Sequence, residues 1–257
     1  MVGLGAVAIL AWLATSDLEA KLEVVFFDVG QGDSIFIQYQ DQQVLIDGGP
    51  SGKVLLERLG SFMPFWDRKI ELVILTHPDK DHLNGLIDVL ERYEVVSIVD
   101  TGIRNNTKVF AKWEKAKKEE KAEEILAEVG LVFDLGSGAS LVVLSADKEA
   151  RNINDSSIVA KLIYGDASFL FTGDVGFRVE EELIGSQFDL SSKVLQAGHH
   201  GSKNSSSVNF LQEVNPEVII ISSGKNPYGH PREEALLRMK DFKVRRTDQE
   251  GNIKFEF

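Results

Sequence analysis

Short runs of β-branched and aromatic residues, separated by turn residues and helical patterns, extend along most of the chain from Glu23 onward. In the first half these patterns predict, in order, strands at Glu23–Asp28, Ser34–Tyr39 and Gln42–Ile46, a helix at Ser51–Phe62, a strand at Ile70–Leu75, a helix at His82–Arg92 and a strand at Val95–Val99. Ser51 is the expected N-cap of the first helix. The continuous apolar run Ile70–Leu75 is typical of a strand that is buried on both faces.

A second series of strands and helices follows Gly130. Its predicted elements are strands at Leu131–Leu135, Ser140–Leu144, Ser157–Tyr164 and Ser168–Thr172, a helix at Gly176–Gly185, a strand at Lys193–Gln196, a helix at Ser207–Val214, a strand at Glu217–Ser222, a helix at Arg232–Lys240, and strands at Lys243–Arg246 and Asn252–Phe257. Both halves are β-rich first and then alternate strand and helix. This order predicts two mixed sheets with helices on their outer faces, packed as a four-layer αββα sandwich. A doubly wound α/β sheet is the alternative, although no G-x-G-x-x-G or P-loop string opens a helix.

A charged segment joins the two halves. Lys and Glu alternate through Lys112–Glu128, and we expect one long helix over Lys108–Val129 whose charged side chains face solvent and form i,i+4 pairs. Binding of a partner protein is the alternative role for this helix.

The N-terminal residues form an apolar segment of their own. Val2–Thr15 is uncharged and shorter than the roughly 20 residues that span a bilayer, and no Lys or Arg precedes it. We expect residues 1–20 to be a signal or membrane anchor, with an extracytoplasmic protein that is anchored or secreted; a buried N-terminal helix and a cytoplasmic location remain alternatives. No linker rich in Pro, Gly and Ser divides the remainder, so residues 21–257 are predicted to form one domain.

Composition narrows the possible chemistry. The chain has 257 residues and a formal net charge of −12, which argues against binding nucleic acid through a broad basic surface. It contains no cysteine, so thiolate metal sites and cysteine nucleophiles are excluded. Any bound metal must therefore use His, Asp or Glu.

The histidines follow predicted strands. His77 and His82 flank Asp79 and Asp81 directly after the buried strand, so four ligand-type residues occupy six positions where open α/β sheets place their ligands. The alternative is a capping loop that is rich in Asp and contains incidental histidines.

Three further histidines and one aspartate follow other strands. His199 and His200 come after Lys193–Gln196, His230 comes after Glu217–Ser222, and Asp174 follows Ser168–Thr172. A single loop histidine is usually a surface residue. The recurrence of these side chains at strand ends on one side of the sandwich predicts a metal site.

Several segments resemble a known family. Residues His77–His82 (HPDKDH) resemble the H-x-[HD]-x-D-H motif of the metallo-β-lactamase superfamily, Leu45–Gly49 (LIDGG) resembles its first motif, and Phe171–Asp174 (FTGD) resembles the strand that bears its bridging aspartate. Four further segments resemble the hydrolase domain of ComEC-type competence (DNA-uptake) proteins more specifically. They are Phe27–Ser34 (FDVGQGDS), Gly198–Ser202 (GHHGS), Asn154–Ser157 and Tyr228–Pro231. The resemblance extends over about Leu22–Phe257 and implies the αββα fold.

The resemblance also implies a role for each residue. His77 and Asp79 would bind one divalent cation, Asp81 and His82 a second, Asp174 would bridge them, and His230 would be the last metal histidine. Asp47 would orient a ligand. His199 and His200 would contact the substrate or transition state, with one of them able to coordinate metal; Asp33 is a further site candidate without an assigned role.

The sequence departs from the superfamily pattern in two places. No histidine lies between His82 and His199, so Asn154 or Asp155 is the candidate for the missing ligand. Asp79 replaces the commoner histidine, which makes the site richer in oxygen and shifts its preference from zinc towards manganese or magnesium. We therefore expect one or two divalent cations, manganese or zinc, with magnesium as a further candidate.

The expected function is hydrolysis of a phosphodiester, because two cations can activate water and stabilise charge on phosphate oxygens. Asp81, His199 and His200 are the candidate catalytic residues, and Ser202 and Lys203 could donate hydrogen bonds to phosphate unless they form a plain loop with an N-cap. The resemblance favours a nuclease that acts on DNA, with a DNA-uptake channel as partner and membrane association through the N-terminal segment. The alternatives are a hydrolase of lactones, lactams or thioesters, and a metal-poor, catalytically weak accessory domain of a DNA-uptake system.

Overall fold

Two seven-stranded mixed sheets form the framework of the structure, a computed structural model that describes residues 21–257. The first sheet contains β1 (Glu23–Phe26), β2 (Ile35–Tyr39), β3 (Gln42–Ile46), β4 (Lys69–Ile74), β5 (Glu94–Asp100), β6 (Glu123–Leu126) and β14 (Ile253–Glu256). Its strand order is β14-β1-β2-β3-β4-β5-β6, and the pairs from β3 to β6 are parallel. The C-terminal strand β14 closes the antiparallel side by pairing with β1.

The second sheet repeats this plan. It contains β7 (Val132–Gly136), β8 (Ala139–Ser145), β9 (Val159–Tyr164), β10 (Ala167–Phe171), β11 (Val194–Gln196), β12 (Val218–Ile221) and β13 (Lys243–Arg246). Its order is β13-β12-β11-β10-β9-β8-β7, with parallel pairing from β10 to β13. Each sheet thus has an antiparallel side and a parallel side, as the repeated order of elements in the sequence predicts.

Helices cover the outer face of each sheet. The first sheet is covered by α1 (Gly52–Phe62), α2 (Lys80–Leu90) and α3 (Lys108–Glu120), and the second by α4 (Phe177–Ile184), α5 (Val208–Val214) and α6 (Glu233–Arg238). A single turn, α7 (Thr247–Glu250), and two 3₁₀ turns at Asn154–Ser156 and Gly198–Gly201 complete the described chain. Ser51 caps α1 as predicted, with its hydroxyl accepting a hydrogen bond from the amide of Val54.

Three hydrophobic cores separate the four layers. Alternation along a strand sends successive side chains to opposite faces, so Val24 and Phe26 pack between the sheets while Val25 contributes to the core under α1–α3. The rings of Phe26 and Phe171 meet across the central core with their centroids 6.1 Å apart. Buried side chains of α4–α6, such as Phe210, form the third core against the second sheet. The prediction of a four-layer αββα sandwich is confirmed.

The charged segment is shorter as a helix than the sequence predicts. The expectation of one helix over Lys108–Val129 is wrong, because Lys121 adopts a left-handed conformation that ends α3 and lets the chain turn into β6. Nor does the whole charged face meet solvent. Lys117 is buried, and its ammonium group lies 3.0 Å from Asp100 Oδ2 and 2.8 Å from Glu124 Oε2, so it links α3 to β5 and β6. Two of the four residues of β6, an edge strand, are Glu, so the sequence pattern does not reveal its pairing with β5.

The apolar run Val2–Thr15 lies outside the described residues, and the expectation for it stays a prediction. Within residues 21–257, no helix combines the length and the apolar character needed to cross a bilayer.

Two glycines bring α2 against the loop that follows β3. The amide of Gly48 donates to the carbonyl of His82 at 2.6 Å, and the amide of Gly85 donates to the carbonyl of Gly49 at 3.0 Å. A Cβ atom at Gly85 would overlap the carbonyl oxygen of Gly48. This close approach fixes the start of α2, which includes His82, relative to Asp47 in the neighbouring loop.

We predict that Gly85→Ala lowers the free energy of unfolding by about 1–3 kcal/mol, because the added methyl group must push α2 away from the loop. Gly60→Ala is the matched control: Gly60 lies inside α1 with open space at its Cβ position, so alanine should stabilise by about 0.5–1 kcal/mol. Urea unfolding of the two variants measures both effects. Equal stability of the two variants would contradict the packing described for Gly85.

Candidate metal centre

The predicted site residues come from loops at one end of both sheets. His77 follows β4 and His82 lies in the first turn of α2, whereas Asp174, His199 and His230 follow β10, β11 and β12. The parallel strands that precede these loops end on the same side of the sandwich. The two halves of the chain therefore contribute opposite walls of a single site.

Asp174 lies at the centre of this site. Its carboxylate is buried, and the two oxygens face different imidazoles. Oδ1 lies 3.3 Å from Nε2 of His82 and 3.5 Å from Nε2 of His200. Oδ2 lies 3.8 Å from Nε2 of His77 and 3.6 Å from Nε2 of His199. The carboxylate thus stands between two pairs of imidazoles, one pair on each oxygen.

The two aspartates of the HPDKDH segment add one carboxylate to each pair. Asp79 Oδ2 lies 3.9 Å from Nε2 of His77, and Asp81 Oδ2 lies 3.5 Å from Nε2 of His200. The amide group of Asn105 donates to Oδ1 of Asp79 at 3.3 Å and to the carbonyl of Pro78 at 3.0 Å, which holds this aspartate in place.

Hydrogen bonds on the far side of two rings set their orientation. Nδ1 of His82 lies 2.7 Å from Asp47 Oδ2, and the Asp47 carboxylate also accepts from the amide and the hydroxyl group of Thr76. Nδ1 of His200 lies 3.0 Å from the carbonyl oxygen of Ser222, which can only accept, so Nδ1 of this ring carries the proton. In both rings the Nε2 atom is therefore turned towards Asp174, which is the usual way in which proteins orient metal-binding histidines.

Asp33 lies behind the cluster. The ligand-type atoms of Asp33, His82, Asp174 and His200 lie within 4.8 Å of one another. However, Asp33 approaches the Nδ1 atoms of both rings, at 3.8 Å for His82 and 3.4 Å for His200, and its Oδ2 accepts a hydrogen bond from Gln196 at 2.7 Å. We infer that Asp33 orients the imidazoles from the rear, while Asp174 faces the Nε2 atoms.

The donor set fits divalent cations. Ten buried side-chain N and O atoms of the described residues have no hydrogen-bond partner, and five of them belong to the histidines and the aspartate of this site: Nε2 of His77, His82 and His200, Oδ1 of Asp174, and Nδ1 of His230. Leaving such atoms unpaired costs about 1–3 kcal/mol each, so a site that collects them is built to bind something. Imidazole nitrogen and carboxylate oxygen are ligands for zinc and manganese. The three carboxylates of Asp79, Asp81 and Asp174 add oxygen ligands, which favour harder cations such as manganese and magnesium.

The electrostatics of the cluster also favour positive charge next to Asp174. Burial raises the pKa of the Asp174 carboxyl group, but His200 and His82 outweigh it and hold this pKa well below its usual value. Burial lowers the pKa of the His82 and His200 imidazoles, yet the carboxylates around them, Asp174 foremost, raise each pKa well above its usual value. His77 differs: burial and the neighbouring His82 lower its pKa to about 4. Excess carboxylate charge in a buried cluster is the situation that bound cations relieve.

An unusual backbone conformation presents His199 and His200. Both residues have positive φ angles, 49° and 54°, within the short turn Gly198–Gly201. Two consecutive left-handed residues other than glycine are rare and cluster at functional sites. The amide of His199 donates to the carbonyl of Gly173 at 3.0 Å, so this turn is tied to the loop that carries Asp174.

The structure places several predicted residues differently from the expected arrangement. His199 and His200, predicted mainly as substrate contacts, have their Nε2 atoms beside Asp174. His230, predicted as a metal ligand, lies next to the His199 ring with centroids 5.2 Å apart and lines the cavity above the cluster.

Four other candidates lie at the edge of the cluster or away from it. Asn154 Nδ2 is 3.2 Å from Nδ1 of His199, so it contacts the site. Asp155 instead pairs with Arg178 at 3.0 Å and does not replace the missing ligand. Ser202 uses its hydroxyl to accept from the amide of Asn204, and Lys203 is exposed; neither lines the cavity.

A cavity of about 180 Å³ opens above the cluster, and two of its lining residues were not singled out by the sequence. Gln31 lies in the FDVGQGDS segment and Tyr228 precedes His230, so the motifs contained both without indicating a role. Asn105 and Thr76 were also missed. Their contribution depends on contacts between loops, for which a single sequence has no signal.

The αββα sandwich and the two-sided imidazole–carboxylate cluster define a metal-dependent hydrolase. A family model described as the metallo-beta-lactamase superfamily matches residues 27–225, and the chain belongs to this superfamily. The chain is 31% identical over 261 residues to ComE operon protein 3 of Bacillus subtilis (strain 168), covering 93% of this chain and 34% of that protein. It is 32% identical over 243 residues to competence protein ComA of Neisseria gonorrhoeae, covering 92% of this chain and 32% of that protein.

The chain thus spans about a third of the length of these two relatives, the second of which is a competence protein by name. Among solved structures, it is similar to the metallo-beta-lactamase fold protein YhfI from Bacillus subtilis, with a TM-score of 0.63 and 12% identity over 93% of this chain and 100% of that one. At this identity the likeness shows the fold. The family predicted from the motifs is confirmed.

We predict that Asp47→Ala weakens the binding of Mn²⁺ or Zn²⁺ about 10- to 100-fold, because His82 loses the partner that orients its ring. Competition with a chromophoric chelator measures this affinity. Asp155→Ala is the matched control and should change affinity less than about twofold, because Asp155 pairs with Arg178 outside the cluster. An equal loss in both variants would contradict the arrangement described here.

Proposed function

We propose that the chain is a metal-dependent phosphodiesterase that acts on DNA as a nuclease. The observation that carries the proposal is the Asp174 carboxylate in the lining of a cavity: its two oxygens each face a pair of imidazoles, with Asp79 beside one pair and Asp81 beside the other. A site with two equivalent sides suits a phosphodiester, in which an attacking and a leaving oxygen lie on opposite sides of one phosphorus atom.

Each side of Asp174 would hold one cation, manganese or zinc, with magnesium as a further candidate. One cation would bind His77, Asp79 and His199, the other would bind Asp81, His82 and His200, and Asp174 would contribute an oxygen to each. Bound cations would lower the pKa of a water molecule and neutralise charge on the phosphate oxygens.

The remaining residues of the site orient and bind. Asp47 and Asp33 hold the imidazoles from behind, through contacts to Nδ1 of His82 and His200. His230 lies on the cavity wall with a buried Nδ1 that lacks a partner, so this ring is placed to exchange a hydrogen bond with bound substrate. In this assignment His199 and His200 are cation ligands and His230 contacts the substrate.

The relatives suggest a biological setting. Because one of the two relatives is a competence protein by name and the motifs of the chain resemble those of ComEC-type proteins, we extend the proposal to an association with a DNA-uptake system, with DNA as substrate and the uptake channel as partner. An extracytoplasmic location, with the N-terminal segment as signal or anchor, belongs to the same proposal.

Turnover of single-stranded DNA with Mn²⁺, Zn²⁺ or Mg²⁺ tests the activity. We expect metal-dependent cleavage that a chelator abolishes, and a rate loss on the order of 10²–10³-fold in Asp174→Asn, because the substitution removes charge from the centre of the cluster. Asp241→Asn, at an exposed position, is the matched control and should cleave like the unchanged protein.

A substrate panel separates this proposal from other chemistry of the same fold, since a fold does not fix the bond that is cleaved. Bis-p-nitrophenyl phosphate should be hydrolysed faster than a lactone, a β-lactam or a thioester. Preferential hydrolysis of one of these esters or amides, or no metal-dependent turnover of any phosphodiester, would contradict the proposal.

A further inference from the structure

The mouth of the cavity contains two side chains that the cation ligands do not explain. The loop between β1 and β2 contributes Gln31, and the loop after β12 contributes Tyr228. The other lining residues are Asp79, Asp81, Asp174, His199, His200 and His230. We use the word mouth for the part of the cavity beside Gln31 and the exposed Tyr228.

Gln31 lines the cavity and contains a hydrogen-bond donor that has no partner in the protein. Its Oε1 accepts from the amide of Gly224 at 3.4 Å, so the amide oxygen is occupied. Its Nε2 is buried and has no hydrogen-bond partner. A buried donor without a partner is costly, and a phosphate oxygen is an acceptor that would satisfy it.

The backbone around Gln31 is fixed by close packing. A Cβ atom at Gly224 would lie 2.5 Å from the carbonyl carbon of Gly30 and 2.6 Å from the amide nitrogen of Gln31, so the two loops touch through their main chains. Only glycine fits at position 224 without moving one loop. The backbone of Gln31 is therefore held in place beside the imidazole–carboxylate cluster.

Tyr228 is an exposed aromatic ring on a braced loop. Its side chain is 59% exposed, and its ring centroid lies 5.9 Å from that of His230. The Asn226 carboxamide fastens the loop: Oδ1 accepts from the amides of Tyr228 and His230, each at 3.0 Å, and Nδ2 donates to the carbonyls of Gly224 at 2.8 Å and His230 at 2.7 Å. A flat ring held open to solvent at a polar cavity is suited to stacking on a nucleobase.

We propose that the cavity mouth is a nucleotide subsite, in which Gln31 Nε2 donates to a phosphate oxygen and Tyr228 stacks on the adjacent base. This inference rests on the proposed phosphodiesterase function and names its substrate class: a single-stranded polynucleotide. A base in a duplex is already stacked on both faces and must be extruded before an aromatic side chain can cover it. The net charge of −12 agrees with recognition of one or two nucleotides at the cavity in place of a long backbone track.

Equilibrium binding to the metal-loaded protein tests the subsite without turnover. The probes are thymidine 5′-monophosphate and the base-free 2-deoxyribose 5-phosphate, measured by calorimetry. The unchanged protein should prefer the thymidine nucleotide by about 5- to 150-fold, the range that one base–aromatic stack supplies. Tyr228→Ala should lose this preference and leave binding of 2-deoxyribose 5-phosphate within about twofold, while Tyr228→Phe should retain the preference.

Gln31→Leu should weaken both probes about 10-fold or more, because both contain the phosphate that Nε2 would contact. Trp66→Ala removes a 74% exposed aromatic side chain from a loop that does not line the cavity, and should leave both affinities unchanged. Measured metal content shows whether each variant keeps its cations.

The inference is overturned if the unchanged protein binds the two probes equally or binds neither, or if Tyr228→Ala weakens both alike. The outcome is separable from that of the proposed function. A protein that prefers the thymidine nucleotide but cleaves no phosphodiester keeps the subsite and refutes the nuclease. A protein that cleaves DNA but binds the thymidine nucleotide equally well with and without the Tyr228 ring keeps the nuclease and refutes the subsite.

Discussion

The buried carboxylate of Asp174 is the interaction around which the site is arranged. An isolated carboxylate in a protein interior is unstable, and here four imidazoles approach its two oxygens at 3.3–3.8 Å. His77 and His82 belong to the first half of the chain, and His199 and His200 to the second. Neither half contains enough ligands for either side of the cluster, so the site exists only when the two sheets pack face to face.

The two sheets hold the loops of the site in place at the carboxyl ends of their parallel strands. Main-chain contacts between glycines, such as that of Gly48 with Gly85, set the loop positions more tightly than side-chain packing would. Hydrogen bonds from the rear, such as that of Asp47 with His82, then set the ring orientation. The orientation of the rings therefore depends on residues that do not line the cavity, such as Asp47.

The sequence predicted the structure correctly where a pattern of residues has a single physical cause. Strand and helix periodicity predicted both sheets, and the HPDKDH segment indicated which side chains of the first half lie in the cluster around Asp174. The predicted helix over Lys108–Val129 was too long because Lys121 adopts a left-handed conformation, which the amino-acid composition of the segment does not indicate. The expected ligand role of His230 was inferred from its order in the chain, whereas the structure brings His199 and His200 to Asp174 through two left-handed residues in one turn. Contacts between loops distant in sequence were beyond any local pattern.

The central claim is that Asp174 stands between two cation positions. Anomalous diffraction from crystals of the protein loaded with Mn²⁺ tests it most directly. We expect two anomalous peaks, one on each side of the Asp174 carboxylate, the first beside His77 and His199 and the second beside His82 and His200. A single peak bound through Asp33 on the far side of the rings, or no peak within the cluster, would contradict the account.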